Sequence, residues 1–111
     1  MSGKIKMTFA VPSILKKELQ ERVIKDGYGL RGKSKWVSEA INNLFEYDSH
    51  IELIYFSDEI KGLDQMETVV LDYDLKQMLE NKIIDVRKEY PFLEGVKSKI
   101  LRTSIMQRLI R

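Results

Sequence analysis

The chain has 111 residues, 43% hydrophobic and 32% charged, the proportions of a soluble globular protein with one modest core. It has no cysteine and a single histidine, His50, which excludes disulfide frameworks, thiolate chemistry and multi-histidine metal cages. The net charge is only +2 but unevenly spread: residues 1–46 carry nine Lys/Arg against five Asp/Glu, residues 47–65 one against five, and residues 66–111 nine against seven. Two basic blocks flanking an acidic connector prompt a search for an internal repeat.

The first block opens with Lys4-Ile5-Lys6-Met7-Thr8-Phe9-Ala10-Val11, whose apolar residues alternate at 5, 7, 9 and 11. That period of two predicts a strand with one buried face. Pro12 ends it, and Ser13 is a candidate N-cap for a helix carried by Ile14, Leu15, Leu19, Val23 and Ile24. Gly27 and Gly29 stop that helix, and a basic turn, Leu30-Arg31-Gly32-Lys33, follows. Ser34 is the candidate cap of a second helix, whose apolar face is Trp36, Val37, Ala40, Ile41, Leu44 and Phe45.

Residues 47–65 are too apolar for a flexible linker, with Ile51, Leu53, Ile54, Tyr55 and Phe56 in one stretch. They either extend the second helix or pack across the core; pattern alone leaves both open. His50 has no evident partner here. The order then repeats. Met66–Leu71 is a short strand candidate, with Asp72 or Asp74 placed to cap the next helix. Leu75, Leu79, Ile83 and Ile84 match Leu15, Leu19, Val23 and Ile24 at an offset of 60, and Pro91 helps to end that helix. Lys97-Ser98-Lys99-Ile100-Leu101 matches Lys33-Ser34-Lys35-Trp36-Val37 at an offset of 64, and Ile105 and Leu109 continue the face.

A lone strand with two amphipathic helices has unpaired edges and too little core to fold alone. Two copies remove both defects when the strands pair antiparallel and four helices close over one side. The expected fold is therefore α+β and mostly helical: repeat 1 over 1–46, a connector over 47–65 and repeat 2 over 66–111, forming one compact domain.

The segments Met7-Thr8-Phe9-Ala10-Val11-Pro12 and Gly32-Lys33-Ser34-Lys35-Trp36-Val37-Ser38-Glu39-Ala40-Ile41 resemble the ribbon-helix-helix family of the Arc and MetJ type. A tandem copy resembles the fused, pseudo-dimeric subset typified by the conjugation protein TraY. The resemblance implies an intramolecular two-stranded antiparallel ribbon, four main helices, and sequence-specific binding of double-stranded DNA with the ribbon in the major groove. The role it implies is a transcriptional repressor or an accessory factor at a plasmid's conjugative origin of transfer, with a relaxosome partner in the latter case and self-association on DNA in either. If the alternating face 5, 7, 9 and 11 is inward, Lys4, Lys6, Thr8 and Ala10 point outward, where family members read base edges. In the second strand Met66, Thr68 and Val70 are outward, with Thr68 the polar reader and Glu67 inward; a one-residue slip would instead expose Glu67, Val69 and Leu71. With polar groups concentrated on the first strand, the expected target is not a perfect palindrome.

The two Lys-Ser-Lys motifs, Lys33-Ser34-Lys35 and Lys97-Ser98-Lys99, fall at predicted helix N-termini. Cations there oppose the helix dipole at roughly 0.3–1 kcal/mol each. An approaching phosphate reverses the sign, because backbone N–H groups, the serine and the lysines all favour an anion. In the family this helix end grips the DNA backbone. Trp36 and Phe45 are expected in the core, and Tyr28, Arg31 and Tyr90 at exposed turns. Asp58-Glu59 and Asp72-x-Asp74 are possible divalent-ion pairs, with capping and solvation the favoured readings.

An enzyme is not expected, since no nucleophile with its base, metal cage or phosphate loop is recognisable; no cofactor or metal is expected either. The opening Met-Ser-Gly-Lys-Ile-Lys has no signal-peptide core and no apolar run reaches membrane-spanning length, so a cytoplasmic protein is expected. The alternative is a protein-interaction module, an antitoxin or an oligomeric scaffold with degenerate DNA binding. Toxin-wrapping tails extend beyond the second helix. The sequence here ends at Arg111 with that helix, leaving the apolar connector as the candidate partner surface.

Overall fold

Alternating side chains and two prolines mark where the chain is extended and where it must turn. The computed structural model describes residues 3–57, 62–63 and 65–110. Strand β1 (Lys4–Val11) leads into α1 (Ser13–Lys25) and α2 (Lys33–Phe45); a short α3 (His50–Phe56) follows; β2 (Gln65–Asp72) then leads into α4 (Tyr73–Glu89) and α5 (Val96–Leu109). The protein is α+β, with a two-stranded antiparallel sheet and five helices among the described residues.

The register pairs Thr8 with Thr68, Lys6 with Val70, and Ala10 with Met66. Met7, Phe9 and Val11 of β1 and Glu67, Val69 and Leu71 of β2 are buried, so both strands turn the predicted face inward and the slipped alternative does not occur. The inner face meets Leu15, Leu19 and Val23 of α1, Trp36, Val37, Ala40, Ile41 and Leu44 of α2, Leu75, Leu79 and Val86 of α4, and Ile100, Leu101 and Ile105 of α5 in one core. Full burial of each large apolar side chain contributes about 1.5–3 kcal/mol, and α2 lying against α5 supplies the centre of that burial. Thr103 and Ser104, buried on α5, donate their hydroxyls back to Lys99 O and Ile100 O, which leaves neither unsatisfied.

A two-stranded ribbon leaves both edges unpaired. The helices satisfy three of these edge groups: the Val70 N–H donates to Ser34 Oγ at 2.9 Å, Lys16 Nζ donates to Met66 O at 2.8 Å, and Arg102 Nη1 donates to Ala10 O at 3.0 Å.

Several local expectations need correction. Ser13 and Ser34 are not N-caps: Pro12 and Gly32 take that position, and neither serine lies outside the helix where a cap must sit. Asp72 does hold the N-cap position of α4, but its carboxylate goes to Lys4 rather than to the helix. Gly32 is required by crowding, since an added Cβ would lie 2.2 Å from Tyr28 O. Of the two readings left open for the connector, prolonging α2 is not what its described part does: His50–Phe56 forms α3, the fifth helix among the described residues, which buries Ile54 against the α4–α5 side. His50 has a partner after all, its Nδ1 donating to Tyr47 O at 2.6 Å. Ile14, Ile24 and Ile84 lie on the exposed sides of α1 and α4, because each helix buries only one stripe. Asp58 and Glu59 lie outside the described residues.

Tyr28 is not a loose turn residue. Its hydroxyl donates to Glu39 Oε2 at 2.7 Å and accepts from Arg108 Nη2 at 2.7 Å, while Arg108 Nη1 donates to Trp36 O at 2.6 Å and its guanidinium lies 4.5 Å from the Trp36 ring centre. Trp36 Nε1 in turn donates to Asp26 Oδ2 at 2.9 Å, so the end of α5 clamps the α1–α2 corner. Tyr90 is likewise engaged, stacked on Tyr55 with ring centroids 3.7 Å apart.

Candidate nucleic-acid interface

The outer face of the ribbon is the surface that the register creates and the core does not use. Lys4, Lys6 and Thr8 are exposed and Ala10 is half-buried; across from them Met66 is 55% and Val70 39% exposed, and Thr68 is half-buried. In the connector, α3 packs on α4 and α5. All five sequence-predicted base readers, Lys4, Lys6, Thr8, Ala10 and Thr68, thus share one side of one ribbon.

Their states differ. Lys4 Nζ is 2.6 Å from Asp72 Oδ1 across the ribbon, an exposed ion pair worth about 0–1 kcal/mol and readily exchanged. Lys6 is exposed on the outer face and has no partner among the described residues. Thr8 and Thr68 touch through their hydroxyl oxygens at 3.0 Å. In such a pair one hydroxyl donates and the other keeps its proton and lone pairs for a third group.

The helix starts flank the ribbon. α2 and α5, like α1, have no acidic residue in their first turns, whereas α4 carries Asp74 there; in α2 and α5 lysines stand in those turns. Both thus break the usual dipole pattern with lysines. The two motifs are nevertheless not equivalent. Lys33 begins α2, while Lys97 is the second residue of α5, behind Val96 and a left-handed Gly95 at φ 62°. Lys33 Nζ ion-pairs with Glu67 Oε1, and Lys99 Nζ donates to Tyr55 O at 3.2 Å. Ser34 accepts from the β2 edge, and Ser98 is half-buried. Lys35 and Lys97 are left exposed, one at each helix start, with no described partner.

Glu67 is the feature that sequence reasoning undervalued. Its inward direction was expected, but not its effect on Lys33. The side chain is 2% exposed, and its Oε2 has no hydrogen-bond partner among the described residues. A buried carboxylate needs a counter-charge, and the nearest helix start supplies one. Arg102 and Lys16 were also missed; as basic side chains on amphipathic helices they carried no signal separating an edge-capping role from ordinary solvation.

Three further groups are electrostatically set. Hydrogen bonding from Trp36, aided by Arg22, holds Asp26 below the ordinary carboxylate range. Burial lowers the pKa of His50, with the Lys82 charge adding to it; Nδ1–H donates to Tyr47 O, and the buried Nε2 has no hydrogen-bond partner among the described residues. Burial also lowers the pKa of Arg102.

No group of acidic or histidine side chains among the described residues is arranged to hold a metal ion, and no helix among them is long and apolar enough to cross a membrane. No protein-family model, curated protein or solved structure matches this chain.

Proposed function

We propose that the chain is a tandem, pseudo-dimeric ribbon-helix-helix protein that binds double-stranded DNA sequence-specifically, with the β1–β2 ribbon in the major groove. The observation that carries this reading is the pairing of Thr8 with Thr68 at the middle of a ribbon whose outer face is open and bears Lys6. A two-stranded ribbon fits the major groove, and lysine and threonine are donors and acceptors suited to base edges there. In this reading Lys35 and Lys97, exposed near the starts of α2 and α5, meet phosphates and fix the register. Such binding serves a repressor at an operator or an accessory factor at a conjugative origin of transfer; occupancy near the protein's own promoter or near a nick site separates the two.

The test is a gel-shift titration on duplexes from both locations at several salt concentrations. Specific binding predicts a protected site, with affinity falling linearly against the logarithm of salt. Equal, weak binding to every duplex would contradict it. A second reading, a protein-interaction module, is favoured by Leu30 and Phe92, which stand 89% and 95% exposed on the two interhelical turns.

A further inference from the structure

The register polarises the ribbon along its length. At one end Lys6 lies opposite Val70, with the Lys4–Asp72 ion pair beyond it; at the other, Ala10 lies opposite Met66. The middle is the Thr8–Thr68 hydroxyl pair. The polarity lies in the ribbon's outer face, not in the flanks, since Lys35 and Lys97 are both exposed. Beside the cationic end, the α2 start is tied to the β2 edge through Ser34 and Val70 N, with Lys35 exposed. At the apolar end the edge carbonyls of Met66 and Ala10 are already taken by Lys16 and Arg102, so what faces outward there is methyl and thioether surface.

We infer that the DNA target is a directional, non-palindromic duplex site with a guanine under Lys6 and a thymine under Met66 and Ala10. This rests on the DNA-binding reading above and adds the chemistry and polarity of the site. A lysine ammonium donates to guanine O6 and N7, while small and thioether side chains gain from the thymine methyl and offer nothing to a guanine. The two ends are four residues apart. At ~3.3 Å per residue that is about 13 Å, and at ~3.4 Å per base step the guanine and the thymine lie about four base pairs apart. The threonine pair sits over the pairs between them. One molecule therefore binds its site in one orientation only.

The test is selection from a randomised duplex library by the full chain, repeated with Lys6→Ala and Met66→Lys. The wild type is expected to enrich a site with guanine on one side and thymine about four pairs away on the other. Lys6→Ala should cut discrimination at the guanine about tenfold or more and leave the thymine preference standing. Met66 lies 60 residues from Lys6, at the matching place on β2. Met66→Lys should therefore replace the thymine with a second guanine and make the consensus an inverted repeat. An inverted repeat enriched by the wild type, or an unchanged consensus with Met66→Lys, would overturn the polarity while leaving DNA binding intact. Failure to retain any duplex at low salt would overturn both.

Discussion

Lys33 and Glu67 offer the clearest separation of a structural lysine from a phosphate-binding one. Glu67 is 2% exposed and Lys33 32%, so the pair is dry on one side and reached by water on the other. Lys33→Ala strands a buried carboxylate, one oxygen of which already has no hydrogen-bond partner among the described residues. Removing one member of a fully buried pair costs about 3–5 kcal/mol, and the partial exposure of Lys33 brings the expected loss here to about 2–3 kcal/mol. Glu67→Met, by contrast, places at 67 the residue that β1 carries at Met7 and removes the charge with little change of volume; it is expected to be neutral or stabilising by about 1 kcal/mol. The double variant should then match Glu67→Met, leaving a coupling energy of about 2–3 kcal/mol in a urea-denaturation cycle. On DNA, Glu67→Met frees Lys33 and should steepen the salt slope by about one phosphate contact. A loss below about 0.5 kcal/mol for Lys33→Ala, the range of an ordinary surface change, would refute the reasoning, as would equal damage from Glu67→Met.

Gly32→Ala would drive a Cβ into Tyr28 O, 2.2 Å away, and should lower stability by about 1–3 kcal/mol in thermal unfolding. His50 has a folded-state pKa below its ordinary 6.5, so the unfolded chain takes up the proton first. Its contribution to stability is fully present above about 6.5 and is lost as pH falls from there through the folded-state value; chemical denaturation across that window should show the decline, and His50→Gln should remove it. Lys35→Ala and Lys97→Ala should each weaken binding to all duplexes alike and flatten the salt slope by about one, measured by fluorescence anisotropy over a range of salt.

Much of the fold can be read in the sequence because its signals are periodic. Alternation at 5, 7, 9 and 11 identifies the inner face of β1, and the offset of 60 carries the same assignment to β2 despite Glu67, since Val69 and Leu71 have nowhere else to go. The helices follow from their apolar stripes. What could not be read depends on distance in space rather than along the chain. A seven-residue helix such as α3 has too few turns to reveal a period, and its burial of Ile54 is decided by the α4–α5 side it meets. Lys33 and Lys35 look alike in sequence, and only the approach of β2 commits one to Glu67 and leaves the other exposed. Ser34 carries the composition of an N-cap, yet its hydroxyl serves the edge of a strand 36 residues away.

Guanine N7 lies only in the major groove, so methylation interference there probes the proposed contact face most directly. N7 methylation within the bound site should block the wild-type protein, and Lys6→Ala with Thr8→Ala should erase both that block and the preference for the site while leaving the salt slope nearly unchanged. Binding that ignores N7 methylation and survives both substitutions with its sequence preference intact would contradict the assignment of the ribbon's outer face as the reading surface.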